Sequence, residues 1–430
     1  MVKRDKYSFI VKGGSTLRGE ILPGGAKNAI LPMMAASIVS DTSLRLRNVP
    51  ELEDVKVFGK IMQQLGGSVE QKGDMLTLDQ TGVNAFDVPY DLATKLRASV
   101  LLLGPLLARF GVADIPIPGG CDIGDRPIDQ HLKALTAMGA RCVKEHGKWH
   151  VAATALNGAR IDFDLKTVTG TENVLIAACL ARGETVINNA ALEPEVVDLA
   201  RCLRNMGARI EGEGTSTIRV EGVSSLNGTD YTVIPDRIEA ATLLLAGALT
   251  GGDVKVLQIS PEILESLLGK LKESGADVSW DEKGVRVIRG DTIRSVNVST
   301  NPFPGFPTDV QAQFMAYMCL GDSTSTIEEN IFENRFRHVA ELRRLGADIS
   351  VSGRVAIVKG VRELSGAPVT ATDLRASASL VLAGIVADSE TLVKDIEHLD
   401  RGYEKLEEKL NSLGASIRRV PEEDECEVIF

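Results

Sequence analysis

The sequence predicts an α/β protein of two similar domains, each made of three repeated units whose buried helices are surrounded by sheets. Three observations carry that expectation. A helix pattern closed by glycine recurs six times, a second and almost wholly apolar helix pattern precedes it, and a short alternating strand pattern follows each glycine.

The glycine-closed patterns are "LGGSVEQKGD" from Leu65, "MGARCVKEHG" from Met138, "MGARIEGEGT" from Met206, "SGADVSWDEKG" from Ser274, "LGADISVSG" from Leu345 and "LGASIRRV" from Leu413. They stand 68 to 73 residues apart, so six units fill the 430 residues. Helices such as "VVDLARCLRNMGA" and "LESLLGKLKESGA" are amphipathic with a period of 3.6 residues, and the glycine suits a left-handed C-cap. The preceding patterns, "TKLRASVLLLGPLLARFG", "TENVLIAACLARGE", "DRIEAATLLLAGAL" and "DLRASASLVLAGIVAD", are apolar nearly all round and read as buried helices. Each unit is thus expected to run helix, strand, helix, hairpin.

The chain exceeds the size at which one core keeps growing, about 250–300 residues. Grouping the units three and three puts residues 27–235 in domain I and residues 1–26 with 236–430 in domain II. The N-terminal "YSFIVKGG" is then free to pair in domain II, and the chain crosses between domains twice. A hinge around a cleft follows, and the interdomain cleft is the expected ligand site.

Composition narrows the function. The formal charge of −11, from 48 Lys and Arg against 59 Asp and Glu, argues against a general nucleic-acid binder. The charged start, Met1 to Lys6, leads into a short apolar run unlike a signal peptide, and the most apolar run, residues 98–108, is far short of the roughly 20 residues of a membrane span. A cytoplasmic protein with no membrane or nucleic-acid partner is expected. Six scattered cysteines, without C-x-x-C or a Cys/His pairing at zinc spacing, fit reduced thiols and no metal site. No cofactor is expected, since neither a P-loop nor a dinucleotide fingerprint occurs.

Polar and charged residues stand at helix starts and loops where packing would favour apolar ones: Lys27, Asn28, Arg97, Arg126, Asp309, Arg335, Asp373, Arg375 and Arg401. Singly, each can be a cap or a surface pair. Jointly, cations recurring at similar places in the units point to one anion-binding site, aided by helix N-termini, and to a phosphate or carboxylate ligand.

The stretches "GGAKNAILP", "YDLATKLRASV", "IPGGCDIGDRPIDQHL", "EPEVVD", "PDRIEA", "FPTDVQAQF", "FENRFRHV", "ATDLRASASLVLAG" and "HLDRGYE" occur in order along nearly the full length. In these the chain resembles the UDP-N-acetylglucosamine enolpyruvyl transferase family. The sister 5-enolpyruvylshikimate-3-phosphate synthases share the six-unit architecture, an inside-out α/β barrel in each domain, but not the Gly-Gly-Cys loop or "DLRASASL".

The resemblance implies transfer of the enolpyruvyl group of phosphoenolpyruvate to the 3-hydroxyl of UDP-N-acetylglucosamine, with release of phosphate, by addition and elimination through a tetrahedral ketal. By the same resemblance Asp309 is the base for the sugar hydroxyl and Cys121 the proton donor to the methylene carbon. Lys27, Arg97, Arg126 and Arg401 surround phosphoenolpyruvate, Asn28 and Arg97 orient the substrates, and Asp373 and Arg375 support the turnover site. Arg335 serves the carboxylate or domain closure. Arg126, Pro127, Ile128, Asp129 and Gln130, with Ile331 and the Lys166, Val168 and Thr169 segment, hold the uridine diphosphate. An arginine fork matches carboxylate and phosphate oxygens better than lysine. Gly119, Gly120 and Gly124 suit the loop at 115–129 to act as a lid.

Gln130 stands where many members carry an apolar residue, which leaves a backbone contact to the nucleotide. The tail "EEDECEVIF" reads as an acidic extension, and no role carries over to Cys426. Cys142, Cys179, Cys202 and Cys319 read as core or half-buried thiols. His131 either orients the lid or packs, and His146, His150, His338 and His398 have no ligand spacing. Two other functions stay open: a shikimate-pathway transferase, and a non-catalytic UDP-sugar-binding paralogue. Asp122 and Asp125 beside Cys121 favour its protonated thiol, while Arg126 and the phosphate-binding cations oppose them.

Overall fold

In the computed structural model, which describes residues 6–116 and 127–422, the glycines at 66, 139, 207, 275, 346 and 414 all have φ between 91° and 110°. At each, the glycine N–H donates to the carbonyl three residues back and the next N–H to the carbonyl five back; for the second, Gly139 bonds Thr136 at 2.9 Å and Ala140 bonds Leu135 at 3.0 Å. This is the Schellman closure, which satisfies the last helix carbonyls and turns the chain into its strand.

The helices closed this way are Glu53–Gln64, Asp129–Ala137, Pro194–Asn205, Glu265–Glu273, Val339–Arg344 and Leu406–Ser412, each with one buried stripe. Preceding them are Lys27–Ala36, Leu103–Phe110, Val168–Ala178, Arg237–Leu249, Gln311–Met318 and Leu374–Val386. Every residue of Arg237–Leu249 and of Gln311–Met318 is buried, as the all-apolar pattern requires.

One inner helix departs from expectation. "TKLRASVLLLGPLLARFG" forms a turn at Tyr90–Ala93, a 3₁₀ segment at Arg97–Leu102 and a regular helix only from Leu103. Pro105 offers no amide hydrogen and its ring crowds the carbonyl four residues earlier, so the α-helix cannot extend upstream of its first turn. Arg97 consequently begins a tight turn rather than lying within a long helix.

Six separate sheets are formed by the described residues, five of four strands and one of three, with no closed hydrogen-bonded barrel among them. Four of the five four-stranded sheets share one order. A short edge strand pairs in parallel with the strand after the inner helix, and the hairpin completes the other side, as in Asp230–Thr232, Leu44–Arg47, Met75–Asp79 and Ser68–Lys72. The parallel edge strand is not foreseen by the repeat pattern because it is only two to four residues long, for example Val298–Ser299 and Arg18–Ile21. In the three-stranded sheet a single parallel bridge, Asp87 with Asp114, takes its place. Tyr7–Val11 stands in the sixth sheet between Thr391–Lys394 and Ile417–Pro421, antiparallel to both.

By its internal contacts the chain divides into two units, one from the described residues of Gly25 to Ile234, the other from the chain up to Gly24 and from Pro235 onward. Each has its own continuous apolar core. Among the described residues no helix is long and apolar enough to cross a membrane.

Candidate active site

In the unit from Pro235 onward, two of the three buried inner helices begin at an aspartate whose side chain caps them, Asp236 and Asp373. Asp373 is the N-cap of Leu374–Val386, and one of its oxygens accepts from the amides of Arg375 at 2.9 Å and Ala376 at 3.0 Å. That cap fixes Arg375 in the first turn, 4 % exposed, where its Nη2 donates to Asp309 Oδ2 at 3.0 Å. Arg335, 5 % exposed, donates through Nη2 to Asp309 Oδ1 at 2.8 Å. Asp309 lies in the turn Thr308–Val310 that leads into Gln311–Met318, its side chain 27 % exposed. Two guanidinium groups therefore hold one partly accessible carboxylate, and in each the other terminal nitrogen, Nη1, is buried with no hydrogen-bond partner among the described residues.

A buried polar network supports this carboxylate from below. Gln313 Nε2 lies 3.1 Å from each of three acceptors, the Asp309 carbonyl, Tyr403 Oη and Thr242 Oγ1, among which its two hydrogens are shared, and the Tyr403 and Thr242 hydroxyls lie 2.9 Å apart. The Arg375 guanidinium sits 5.3 Å from the Tyr403 ring centre. Burial works against the charge on Arg375, but Asp309, Tyr403 and Asp236 outweigh it, so its pKa is raised and the cation is retained. Burial pushes His338 down to about 4 despite the nearby Asp373 carboxylate, with Arg335 adding to the depression, so His338 is neutral beside these cations.

Arg401 closes the turn Ile396–Arg401 and is half-buried. Its neighbour Asp400 receives both terminal nitrogens of Arg419, at 2.7 and 2.9 Å, while Arg419 Nε bonds Glu407 at 2.7 Å. This clamp pins the turn to the last strand. Ile331, half-buried, follows Glu329, whose carboxylate takes the Ile331 amide at 2.9 Å.

In the unit of Gly25 to Ile234, Lys27 and Asn28 form the first turn of Lys27–Ala36, both half-buried. Lys27 Nζ lies 3.1 Å from Asp54 Oδ2, with side chains 11 % and 7 % exposed. Burying this pair requires the two charges to stay together. His131 is buried, and its Nε2 lies 3.1 Å from Thr169 Oγ1. Burial first, then the charge of Arg97, pushes His131 down to about 4, with Asp129 opposing. The imidazole is thus neutral and in contact with Thr169, while most of the lid it is expected to orient or pack against lies outside the described residues.

Gln130 is buried and its side chain is engaged within the unit: Nε2 donates to Asp129 at 2.9 Å and Asp164 at 3.1 Å, and Oε1 accepts from the Asp164 amide at 3.0 Å. Ile128 is buried and Pro127 exposed just before the helix. Lys166 is exposed, and Val168 and Thr169, half-buried, open the helix Val168–Ala178, whose N-cap Thr167 accepts from the Gly170 amide. Cys121, Asp122, Asp125, Arg126 and the lid glycines lie outside the described residues, as does Cys426.

Sequence reasoning did not single out Asp54, Thr242, Gln313, Glu329 or Tyr403. Glu329 had a signal, a second consecutive carboxylate where the strand pattern "TSTIE" runs out. The others lie in apolar or amphipathic helix patterns or in a loop where nothing local distinguishes them.

Comparison with known proteins converges on one group. The EPSP synthase (3-phosphoshikimate 1-carboxyvinyltransferase) family matches residues 11–410. The chain is 53 % identical over 414 residues to UDP-N-acetylglucosamine 1-carboxyvinyltransferase of Geotalea daltonii, covering 96 % of this chain and 99 % of that protein. It is also 53 % identical over 421 residues to the protein of the same name from Xylella fastidiosa, with the same coverage of both chains. The crystal structure of the enolpyruvyl transferase NikO from Streptomyces tendae superposes with a TM-score of 0.86 at 26 % identity, covering 97 % of this chain and 99 % of that one. EPSP synthase from Acinetobacter baumannii, 20 % identical over 96 % of this chain and all of that one, shares the fold with a TM-score of 0.74.

Proposed function

This chain belongs to the EPSP synthase family of carboxyvinyltransferases, and from that premise we propose that it transfers the enolpyruvyl group of phosphoenolpyruvate to the 3-hydroxyl of UDP-N-acetylglucosamine. The reaction releases phosphate and opens peptidoglycan synthesis. The observation that carries this choice over shikimate 3-phosphate as acceptor is the 53 % identity, over almost the whole of both chains, to proteins named for UDP-N-acetylglucosamine.

The chemistry needs a base, an acid and cations. Asp309 removes the proton of the 3-hydroxyl as that oxygen attacks C2 of phosphoenolpyruvate, and Cys121 gives its proton to C3. The resulting ketal returns a methyl proton to the Cys121 thiolate as the C2–O bond to phosphate breaks, and the proton taken up by Asp309 leaves with the phosphate, which gives the enol ether and restores both groups. The paired contacts to Arg335 and Arg375 support this reading of Asp309, because they fix its orientation and favour the ionised carboxylate. Lys27, Arg97, Arg126 and Arg401 balance the charge of phosphoenolpyruvate, with Asn28 orienting the acceptor. Pro127 to Gln130, Ile331 and the Lys166 to Thr169 segment take the uridine diphosphate. Asp373 acts through the cap that fixes Arg375.

The reaction belongs in the cytoplasm, where both substrates are made. A mass spectrum of the nucleotide after incubation with both substrates tests the proposal: it predicts one enolpyruvyl group added to the sugar. Recovery of unmodified UDP-N-acetylglucosamine would leave the binding-paralogue reading instead.

A further inference from the structure

Glu329 is fully buried, yet its carboxylate touches three separate stretches of chain. Oε1 accepts from Thr300 Oγ1 at 2.9 Å and from the amides of Ile331 at 2.9 Å and Phe332 at 3.2 Å. Oε2 accepts from Thr308 Oγ1 at 2.8 Å. A buried carboxylate is costly unless such donors satisfy it, and a packing role alone would be served by an apolar side chain.

The placement of these donors forms a ring. Thr308 directly precedes Asp309. Asp309 is bound at 2.8 Å by Arg335, whose guanidinium lies 5.2 Å from the ring centre of Phe332. Phe332 and Ile331 lead back to Glu329 through their amides. One carboxylate thereby sets the spacing between the turn that carries Asp309 and the loop that carries Ile331 and Arg335.

We propose that Glu329 is a positioning residue for the transfer: Oε2 places Asp309 through Thr308, and Oε1 places Ile331 for the nucleotide. The inference rests on the reading of Asp309 as base and Ile331 as a nucleotide contact. The two oxygens serve different kinetic terms. Loss of the Thr308 arm lowers kcat, whereas loss of the loop arm raises KM for UDP-N-acetylglucosamine. Glutamine can preserve both arms, since its carbonyl oxygen can take the three donors of Oε1 and its amide can donate to Thr308, a hydroxyl that also accepts.

Steady-state kinetics with both substrates test this, with kcat expressed per UDP-N-acetylglucosamine site counted by calorimetry. Glu329→Ala is expected to lower kcat about tenfold or more and to raise KM for UDP-N-acetylglucosamine about tenfold, with KM for phosphoenolpyruvate within about twofold. Glu329→Gln restores most of both losses. Thr308→Val, which removes one hydroxyl and keeps the fold should the alanine variant fail to form, lowers kcat with KM for the nucleotide within about twofold. Parental constants in Thr308→Val, or a Glu329→Gln no better than Glu329→Ala, would overturn the proposal. Asp309→Asn run in parallel isolates the premise: full turnover there refutes the base itself, whereas its loss together with parental Thr308→Val refutes only the role of Glu329.

Discussion

Arg375 Nη2 lies 3.0 Å from Asp309 Oδ2, and the arginine that makes this contact is 4 % exposed. A partly accessible carboxylate is thus oriented by a cation that water scarcely reaches. Replacing Arg375 by Ala removes one of the two guanidinium groups that orient Asp309, and we expect a loss of about 100-fold or more in kcat from misplacement of the base. Breaking this pair also lowers stability, by about 3 kcal/mol on the scale of buried ion pairs. Turnover and urea unfolding of the purified variant check both, and parental turnover would count against a positioning function.

His131 and His338 share one consequence. Burial pushes each down to about 4, below the ordinary histidine value near 6.5. The unfolded chain therefore binds more protons than the native one between those two values, so stability is unaffected above about pH 6.5 and is lost as pH falls toward 4. His131→Gln should flatten the fall in urea midpoint between pH 6.5 and 5 relative to the parent, by up to one proton or about 1.4 kcal/mol per pH unit. Parallel curves for parent and variant would show that His131 is not held neutral.

The thiols divide by burial. Burial pushes Cys179 and Cys319 up to about 12 and, with the Asp198 carboxylate, raises Cys202 as well. Iodoacetamide at neutral pH should leave all three unmodified in the native protein and label them after denaturation, as peptide mapping can read. Fosfomycin should label Cys121, and a Cys121→Ser variant should escape it. If Asp122 and Asp125 keep that thiol protonated, their joint replacement by alanine lowers the apparent pKa of alkylation; an unchanged value would rule that influence out.

Gly104 marks where two inner helices meet closely. A Cβ there would stand 2.4 Å from the Asn173 carbonyl oxygen and 2.7 Å from its Oδ1, which already accepts the Gly104 amide at 2.6 Å. Gly104→Ala should lower stability by about 2 kcal/mol or more in denaturant unfolding, since backbone must move to admit it.

The six glycine caps are legible in the sequence because each depends on one residue type at one place, and the buried helices because no polar face interrupts them. The parallel edge strands are not, since two to four residues carry too little alternation to be distinguished from loop. Lys27, Arg97, Asp309, Arg335 and Arg375 stand out as charges in otherwise apolar or turn contexts. Glu329, Gln313 and Tyr403 do not, because their importance comes from partners distant in the chain: Thr300 and Thr308 for Glu329, and Thr242 for both Gln313 and Tyr403. Pairing over such separations is a product of the fold and has no local pattern.

The most direct measurement is release of inorganic phosphate from phosphoenolpyruvate with each candidate acceptor supplied in turn. The predicted result is phosphate released in step with UDP-N-acetylglucosamine consumed, and none above background with shikimate 3-phosphate. Release with shikimate 3-phosphate alone, or with neither acceptor, would contradict the assignment.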